Sequence, residues 1–129
     1  MHEKCIDLRW RDLDAYGHVN QAVYLTFAEE VLDDWFQQRL GMRPGAVWDY
    51  VAARTTIEYR SELRLADVQV VGSAALARLG EKSVTANVTL RAPDGRLAAE
   101  LELVVVAIEG QGGASRPLTE REREALGAS

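Results

Sequence analysis

Cysteine is all but missing from this chain. Cys5 stands alone among 129 residues, so no intrachain disulfide and no cysteine-cluster metal site can form. Only two histidines accompany it, too few and too scattered for a zinc site. Long apolar runs are missing as well. The longest, Leu103 to Ile108, is far too short to span a bilayer, and Met1-His2-Glu3-Lys4 lacks the apolar stretch of a secretory leader; a cytoplasmic protein is expected. Positive charge is in deficit: 15 basic against 20 acidic side chains give a net charge of −5. That argues against broad binding to nucleic acid or anionic membrane and leaves room only for a local basic pocket. No repeat and no linker-like stretch divides the chain. It reads as one domain over residues 1–129, long enough for one core, and its 47% hydrophobic and 27% charged content is that of a globular protein.

What is present is a sequence of clear periodicities. Ile6, Leu8 and Trp10 alternate with Asp7, Arg9 and Arg11, which predicts a half-buried strand whose apolar parity continues through Asp12 and Asp14. From Gln21 to Leu40 the spacing is helical. Val23, Tyr24, Phe27, Ala28, Val31, Leu32, Trp35 and Phe36 sweep most of the helical wheel, and Thr26, Glu30, Asp33 and Gln37 form one narrow polar strip. Such a wide apolar arc predicts a helix wrapped by a sheet, with more of it covered by a second subunit. Gly41 suits the position after the helix end, and Pro44-Gly45 marks a loop. Strands follow: one from Ala53 to Arg60, one from Val68 to Leu79, one from Ser83 to Arg91 after the turn Gly80-Glu81-Lys82, and one from Arg96 to Ile108 after the turn Pro93-Asp94-Gly95. The last becomes apolar on both faces from Leu103, as an interior strand does. A flexible loop from Gly110 to Ser115 precedes Thr119 and Glu122, whose spacing is that of a capping box opening a short helix that ends near Gly127. One strand, one long helix and a series of hairpin-connected strands make an α+β architecture.

The segment Asp12-Leu13-Asp14-Ala15-Tyr16-Gly17-His18-Val19-Asn20 holds the chemistry-bearing residues. It sets carboxylates beside a helix start, where backbone N–H groups can stabilise developing negative charge. A calcium loop counted from Asp12 would put Tyr16 fifth and Val23 twelfth, which fails. An aspartyl-phosphate site would need a buried apolar strand where Arg9-Trp10-Arg11 stands. Capping competes on equal terms: Asp12 or Asp14 can close a turn and Asn20 can cap the helix. His18 reads equally as a structural residue, Tyr24, Phe27 and Trp35 as core or interface, and Cys5 as a small packing residue.

Asp14-Ala15-Tyr16-Gly17-His18-Val19-Asn20, followed by Tyr24 and Glu29, closely resembles the opening motif of hotdog-fold acyl-CoA thioesterases of the 4-hydroxybenzoyl-CoA thioesterase type. Ile57-Glu58-Tyr59-Arg60, Leu79-Gly80-Glu81-Lys82-Ser83, Asp94-Gly95-Arg96 and Arg116-Pro117-Leu118 fall in the family's order, so the resemblance spans nearly the whole chain. It implies a hotdog fold, an antiparallel sheet of five or six strands wrapped around one long helix. It further implies a homodimer or homotetramer with active sites at the subunit interface, and hydrolysis of an acyl-CoA without cofactor or metal. Carried over by position, Asp14 is the catalytic carboxylate, with Asp12 a decoy two residues earlier. Backbone N–H groups of Asn20 and Gln21 are implied to polarise the thioester carbonyl. Substrate contacts are implied for His18 and Tyr24, phosphate contacts for Arg60 or Arg64 and for the turn of Gly80, Lys82 and Ser83, and acyl-pocket walls for Tyr24, Phe27, Val47 and Trp48. Ser61-Glu62 stands where relatives often carry proline, and Glu62 is unfavourable beside a polyanion. Glu29 or Glu30 as catalyst, and a non-catalytic acyl-CoA or acyl-carrier-protein binding module on the same fold, are the alternatives.

Overall fold

The computed structural model describes residues 1–127; of the expected domain, residues 128–129 lie outside the described residues. The chain runs β1 (His2–Asp7), α1 (Gln21–Arg39), β2 (Tyr50–Tyr59), β3 (Gln69–Leu79), β4 (Ser83–Arg91), β5 (Leu97–Ala107) and α2 (Glu120–Gly127). The five strands form one antiparallel sheet in the order β1-β3-β4-β5-β2, and α1 packs across β4, β3 and β1. This is the expected α+β architecture of one sheet around one long helix.

Helix α1 starts where its sequence signals place it. The Asn20 side chain accepts the Ala22 N–H at 2.9 Å, and Leu40 closes the helix with Gly41 just beyond. Tyr24, Phe27, Ala28, Val31, Leu32, Trp35 and Phe36 are all buried. The polar strip is less uniform than the spacing predicts. Thr26 and Glu30 are exposed, but Asp33 and Gln37 are half-buried because each has a partner: Asp33 accepts from the Tyr50 hydroxyl, and Gln37 Nε2 donates to the Ala46 carbonyl. Burial raises the pKa of both Asp33 and Tyr50, and the Asp33 carboxylate pushes the phenol higher still. Gly72 on β3 lets the helix approach the sheet closely. A Cβ there would meet Val31 Cγ2 at 2.3 Å, so only glycine fits without a shift.

Three sequence expectations are corrected. The first strand spans His2–Asp7 rather than continuing through Trp10 and Asp14. Ile6 and Leu8 are buried as the alternation predicts, but after Leu8 donates to the Val68 carbonyl the chain leaves the sheet in a single 3-10 turn, and Trp10 is 79% exposed. Cys5 is exposed on this edge strand rather than packed. The strand before Arg60 begins at Tyr50, and as an edge it carries Val51, Ala53 and Tyr59 exposed, with Thr55 and Ile57 only half-buried. β5 is interior, as its apolar content predicts, between β4 and β2.

The carboxy-terminal helix α2 is secured by the expected capping box. Thr119 N–H donates to Glu122 Oε1 at 2.8 Å, and Glu122 N–H donates to Thr119 Oγ1 at 3.1 Å. Glu122 also accepts both Arg116 guanidinium nitrogens (2.8 and 2.7 Å) and the Trp48 indole N–H (2.6 Å). These donors, Arg116 foremost, pull its pKa from 4.5 to about 2.

Candidate active site

Between β1 and α1 the backbone makes a closed turn that presents Asp14. Leu13 and Val19 form an antiparallel bridge, Asp14 N–H donates to the His18 carbonyl (2.8 Å), and Gly17 sits at φ 78°, a left-handed conformation that glycine adopts without strain. Inside this turn Asp14 Oδ1 accepts the Tyr16 N–H at 2.9 Å and the His18 N–H at 3.2 Å. Asp14 Oδ2 has no hydrogen-bond partner among the described residues. One oxygen is held by two main-chain amides and the other is not.

Asp14 lines a cleft of about 290 Å³ with His18, Val19, Gln21, Tyr24, Tyr59, Arg60, Ser61 and Glu62. Tyr24 is buried in its wall; its hydroxyl accepts the Leu63 N–H at 3.1 Å, and burial raises its pKa, so it keeps its proton. Tyr59, packed edge-on to Tyr24 with ring centroids 5.2 Å apart, donates its hydroxyl to the Gln21 carbonyl at 3.0 Å. The end of β2 is thereby tied to the first residue of α1. Val19 N–H donates to the Leu63 carbonyl at 2.8 Å, which joins the Asp14 turn to the segment after β2.

The two helix-start N–H groups are not equivalent. Asn20 N–H donates to the Asp12 carbonyl at 2.8 Å, so it is not available to a thioester; its role is to cap and to close the turn. Gln21 N–H has no acceptor among the described residues, and Gln21 is one of the residues lining the cleft. Asp12, the neighbouring carboxylate, is 2% exposed and fully engaged. It accepts the Arg9 backbone N–H at 2.9 Å and pairs with the Arg9 guanidinium at 3.1 Å. Asp12 is therefore a structural cap.

His18 and Tyr24 join Asp14 in the cleft. Arg60 also borders it, but its guanidinium is held by Glu58 and Glu100, which raise its pKa further. Arg64 pairs with Glu62 at 2.8 Å. Gly80, Lys82 and Ser83 lie elsewhere. Ser83 pairs with Val106 at one end of β5, whereas Tyr59 pairs with Ala99 at the other, seven residues away. At about 3.3 Å per residue the turn is roughly 20 Å from the cleft of the same chain. There Lys82 Nζ approaches Ser115 Oγ at 3.4 Å, and the Gly80 carbonyl accepts from Arg123. Val47 and Trp48 are also remote from Asp14: with Glu29, Asp33 and Tyr50 they line a separate groove, and Trp48 packs on Phe36 with ring centroids 4.6 Å apart. Glu29, the alternative catalyst, thus lies outside the cleft of its own chain. Phe27 is fully in the core. No group of three or more His, Cys, Asp or Glu among the described residues could hold a metal ion.

Sequence reasoning missed Tyr59 and Ser61 as cleft residues. Tyr59 reads as one more residue of an alternating strand, and nothing local signals its reach to Gln21. Ser61, whose Oγ donates to the Leu97 carbonyl at 2.7 Å, carries no signal of its own.

Comparison with known proteins finds relatives in both sequence and fold. A family profile described as the Thioesterase-like superfamily matches residues 8–126. Over 106 residues the chain is 27% identical to the long-chain acyl-CoA thioesterase FadM of Escherichia coli, a match covering 81% of this chain and 80% of that protein. Its fold superposes with a TM-score of 0.83 on a thioesterase from Thermus thermophilus in complex with coenzyme A and Zn, at 33% identity, covering 96% of this chain and 90% of that one. The PA2801 protein of Pseudomonas aeruginosa is similar at a TM-score of 0.80 and 27% identity, with 97% of each chain covered.

Proposed function

The chain belongs to the thioesterase-like superfamily, and on that premise we propose that it hydrolyses an acyl-CoA thioester to the free acid and coenzyme A, with Asp14 as nucleophile or general base. The observation that carries the reading is the pairing, in one cleft, of an Asp14 oxygen without a partner and the uncommitted Gln21 N–H at the start of α1. The chemistry requires little more. A thiol with a pKa of about 8.5 leaves readily as thiolate, so protonating it lowers the barrier little. What remains is attack on the carbonyl carbon and stabilisation of charge on the carbonyl oxygen. A single oxyanion donor such as Gln21 N–H contributes about 3 kcal/mol in acyl-transfer sites.

Two routes use this geometry. In the first, Asp14 Oδ2 attacks the carbonyl carbon, the thiolate departs, and water hydrolyses the resulting mixed anhydride. In the second, Asp14 takes a proton from a water that attacks directly. Single turnover in ¹⁸O-labelled water marks the first route when water opens the anhydride at the Asp14 carbonyl carbon, because label then enters the Asp14 carboxylate; the second route, like opening at the acyl carbonyl, labels the free acid alone. The reading itself is tested by following thiol release from short, medium, long and aromatic acyl-CoAs. Wild-type protein is expected to cleave at least one class, and Asp14→Asn to lose nearly all of that activity. Saturable binding without turnover would instead establish a binding module, and retention of full activity by Asp14→Asn would overturn the mechanism. Inactivation by Glu29→Gln but not by Asp14→Asn would move the chemistry to α1.

Assembly belongs to the same proposal. The β2 edge is free, bears exposed Val51 and Tyr59, and adjoins the cleft, which supports edge-to-edge pairing of two copies with the sites at their boundary. The distance of Lys82 from its own cleft also supports this, because its turn would reach an acyl-CoA at Asp14 only from a second copy. Sedimentation equilibrium tests the assembly, with a dimer or tetramer expected. Among the described residues no helix is long and apolar enough to cross a membrane; a cytoplasmic site of action is part of the proposal.

A further inference from the structure

Glu62 lines the same cleft as Asp14, yet neither route above uses it. Its Oε2 lies 3.1 Å from His18 Nε2 and accepts from an Arg64 guanidinium nitrogen at 2.8 Å. His18 is in turn the cross-turn partner of Asp14. Its backbone N–H donates to Asp14 Oδ1, and its carbonyl accepts the Asp14 N–H. The turn that presents Asp14 is therefore fastened to the segment after β2 at two places: by backbone, Val19 to Leu63 and the His18–Arg64 bridge, and by side chain, His18 to Glu62.

We propose that Glu62 is a positioning residue of the thioesterase site: it holds the His18 imidazole through Nε2, and through His18 it fixes the direction in which the Asp14 carboxylate meets the acyl carbon. The proposal rests on the reading of Asp14 given above. The charged groups around His18 are Asp14 within its own turn and Glu62 and Arg64 from the segment after β2.

The arrangement separates rate from stability. The Glu62 and His18 side chains are 54% and 26% exposed, and exposed pairs contribute little to folding. Catalytic geometry is far more sensitive: a displacement of about 1 Å costs on the order of a hundredfold in rate. Glu62→Ala is therefore expected to lower kcat about tenfold while KM stays within about twofold and the melting temperature barely moves. Glu62→Gln, which keeps a side chain of the same length with an oxygen within reach of His18 Nε2, is expected to recover most of the rate. In a His18→Ala background, Glu62→Ala should change kcat less than about twofold, because the residue through which it acts is gone. Wild-type kcat in Glu62→Ala, a loss confined to KM, or an equal loss with and without His18 would each overturn the proposal. If Asp14→Asn is inactive while the Glu62 variants match wild type, only the positioning role fails; if Asp14→Asn is fully active, the thioesterase mechanism fails with it.

Discussion

Replacing Glu122 by glutamine should weaken the fold in a way that disappears in acid. The Glu122 carboxylate is 11% exposed and accepts four N–H groups, two from Arg116 and one each from Trp48 and Thr119. A carboxyl that ionises at about 2 in the folded chain against 4.5 when free carries at most about 3.5 kcal/mol of folding free energy at neutral pH, at about 1.4 kcal/mol per pKa step. Arg116 retains 18% side-chain exposure, so water screens part of the attraction, and about 2 kcal/mol is the working figure. Glutamine keeps one accepting oxygen but leaves Arg116 without its counter-charge and turns an amide N–H₂ toward N–H donors. The assay is urea unfolding of both proteins, followed by tryptophan emission, from pH 7 down to pH 2. Because the folded-state pKa is depressed, the stabilisation is complete above about pH 4.5 and is lost as pH falls toward about 2. The difference between the proteins should be about 2 kcal/mol at pH 7 and near zero at pH 2. A difference that stays constant across that range, or one under about 0.5 kcal/mol at pH 7, would refute the reasoning.

Two further substitutions probe the scaffold of the cleft. Asn20→Ala removes the acceptor for Ala22 N–H and should cost about 1 kcal/mol in urea unfolding, with kcat also falling because the same turn orients Gln21 N–H. Gly72→Ala forces a methyl against Val31 and should cost about 1–3 kcal/mol, an effect that Val31→Ala in the same chain should largely reverse in thermal melts.

The features legible in the sequence are those whose causes lie within a few residues. The start of α1 at Gln21, the turn at Asp94-Gly95 and the Thr119–Glu122 capping box each depend on contacts over two or three positions, and each is where local chemistry puts it. The helix and strands around Asp14 follow from periodicity, whereas Asp14 itself was singled out over Asp12 only by family resemblance. The separation of the two has a simple physical basis: the Asp12 carboxylate is consumed by Arg9 three residues away, while its main-chain carbonyl takes the Asn20 N–H eight residues on, and only the folded turn reveals both. Illegible features depend on distant partners. Glu122 meets Trp48 across 74 positions, and the Gly80–Ser83 turn and the cleft are put at opposite ends of the sheet by strand register. Trp10 misled because alternation continues in sequence past the point where pairing with β3 ends at Asp7 and Gln69.

The Asp14 turn is held together almost wholly through main-chain atoms: the Leu13–Val19 bridge, the His18 and Tyr16 amides on the carboxylate, and the Asn20 amide on the Asp12 carbonyl. The side chains at its tip, Ala15 and Tyr16, are exposed and take no part in that framework. The two tip side chains can therefore be exchanged without touching any hydrogen bond that holds the Asp14 carboxylate, since both of its donors are main-chain amides.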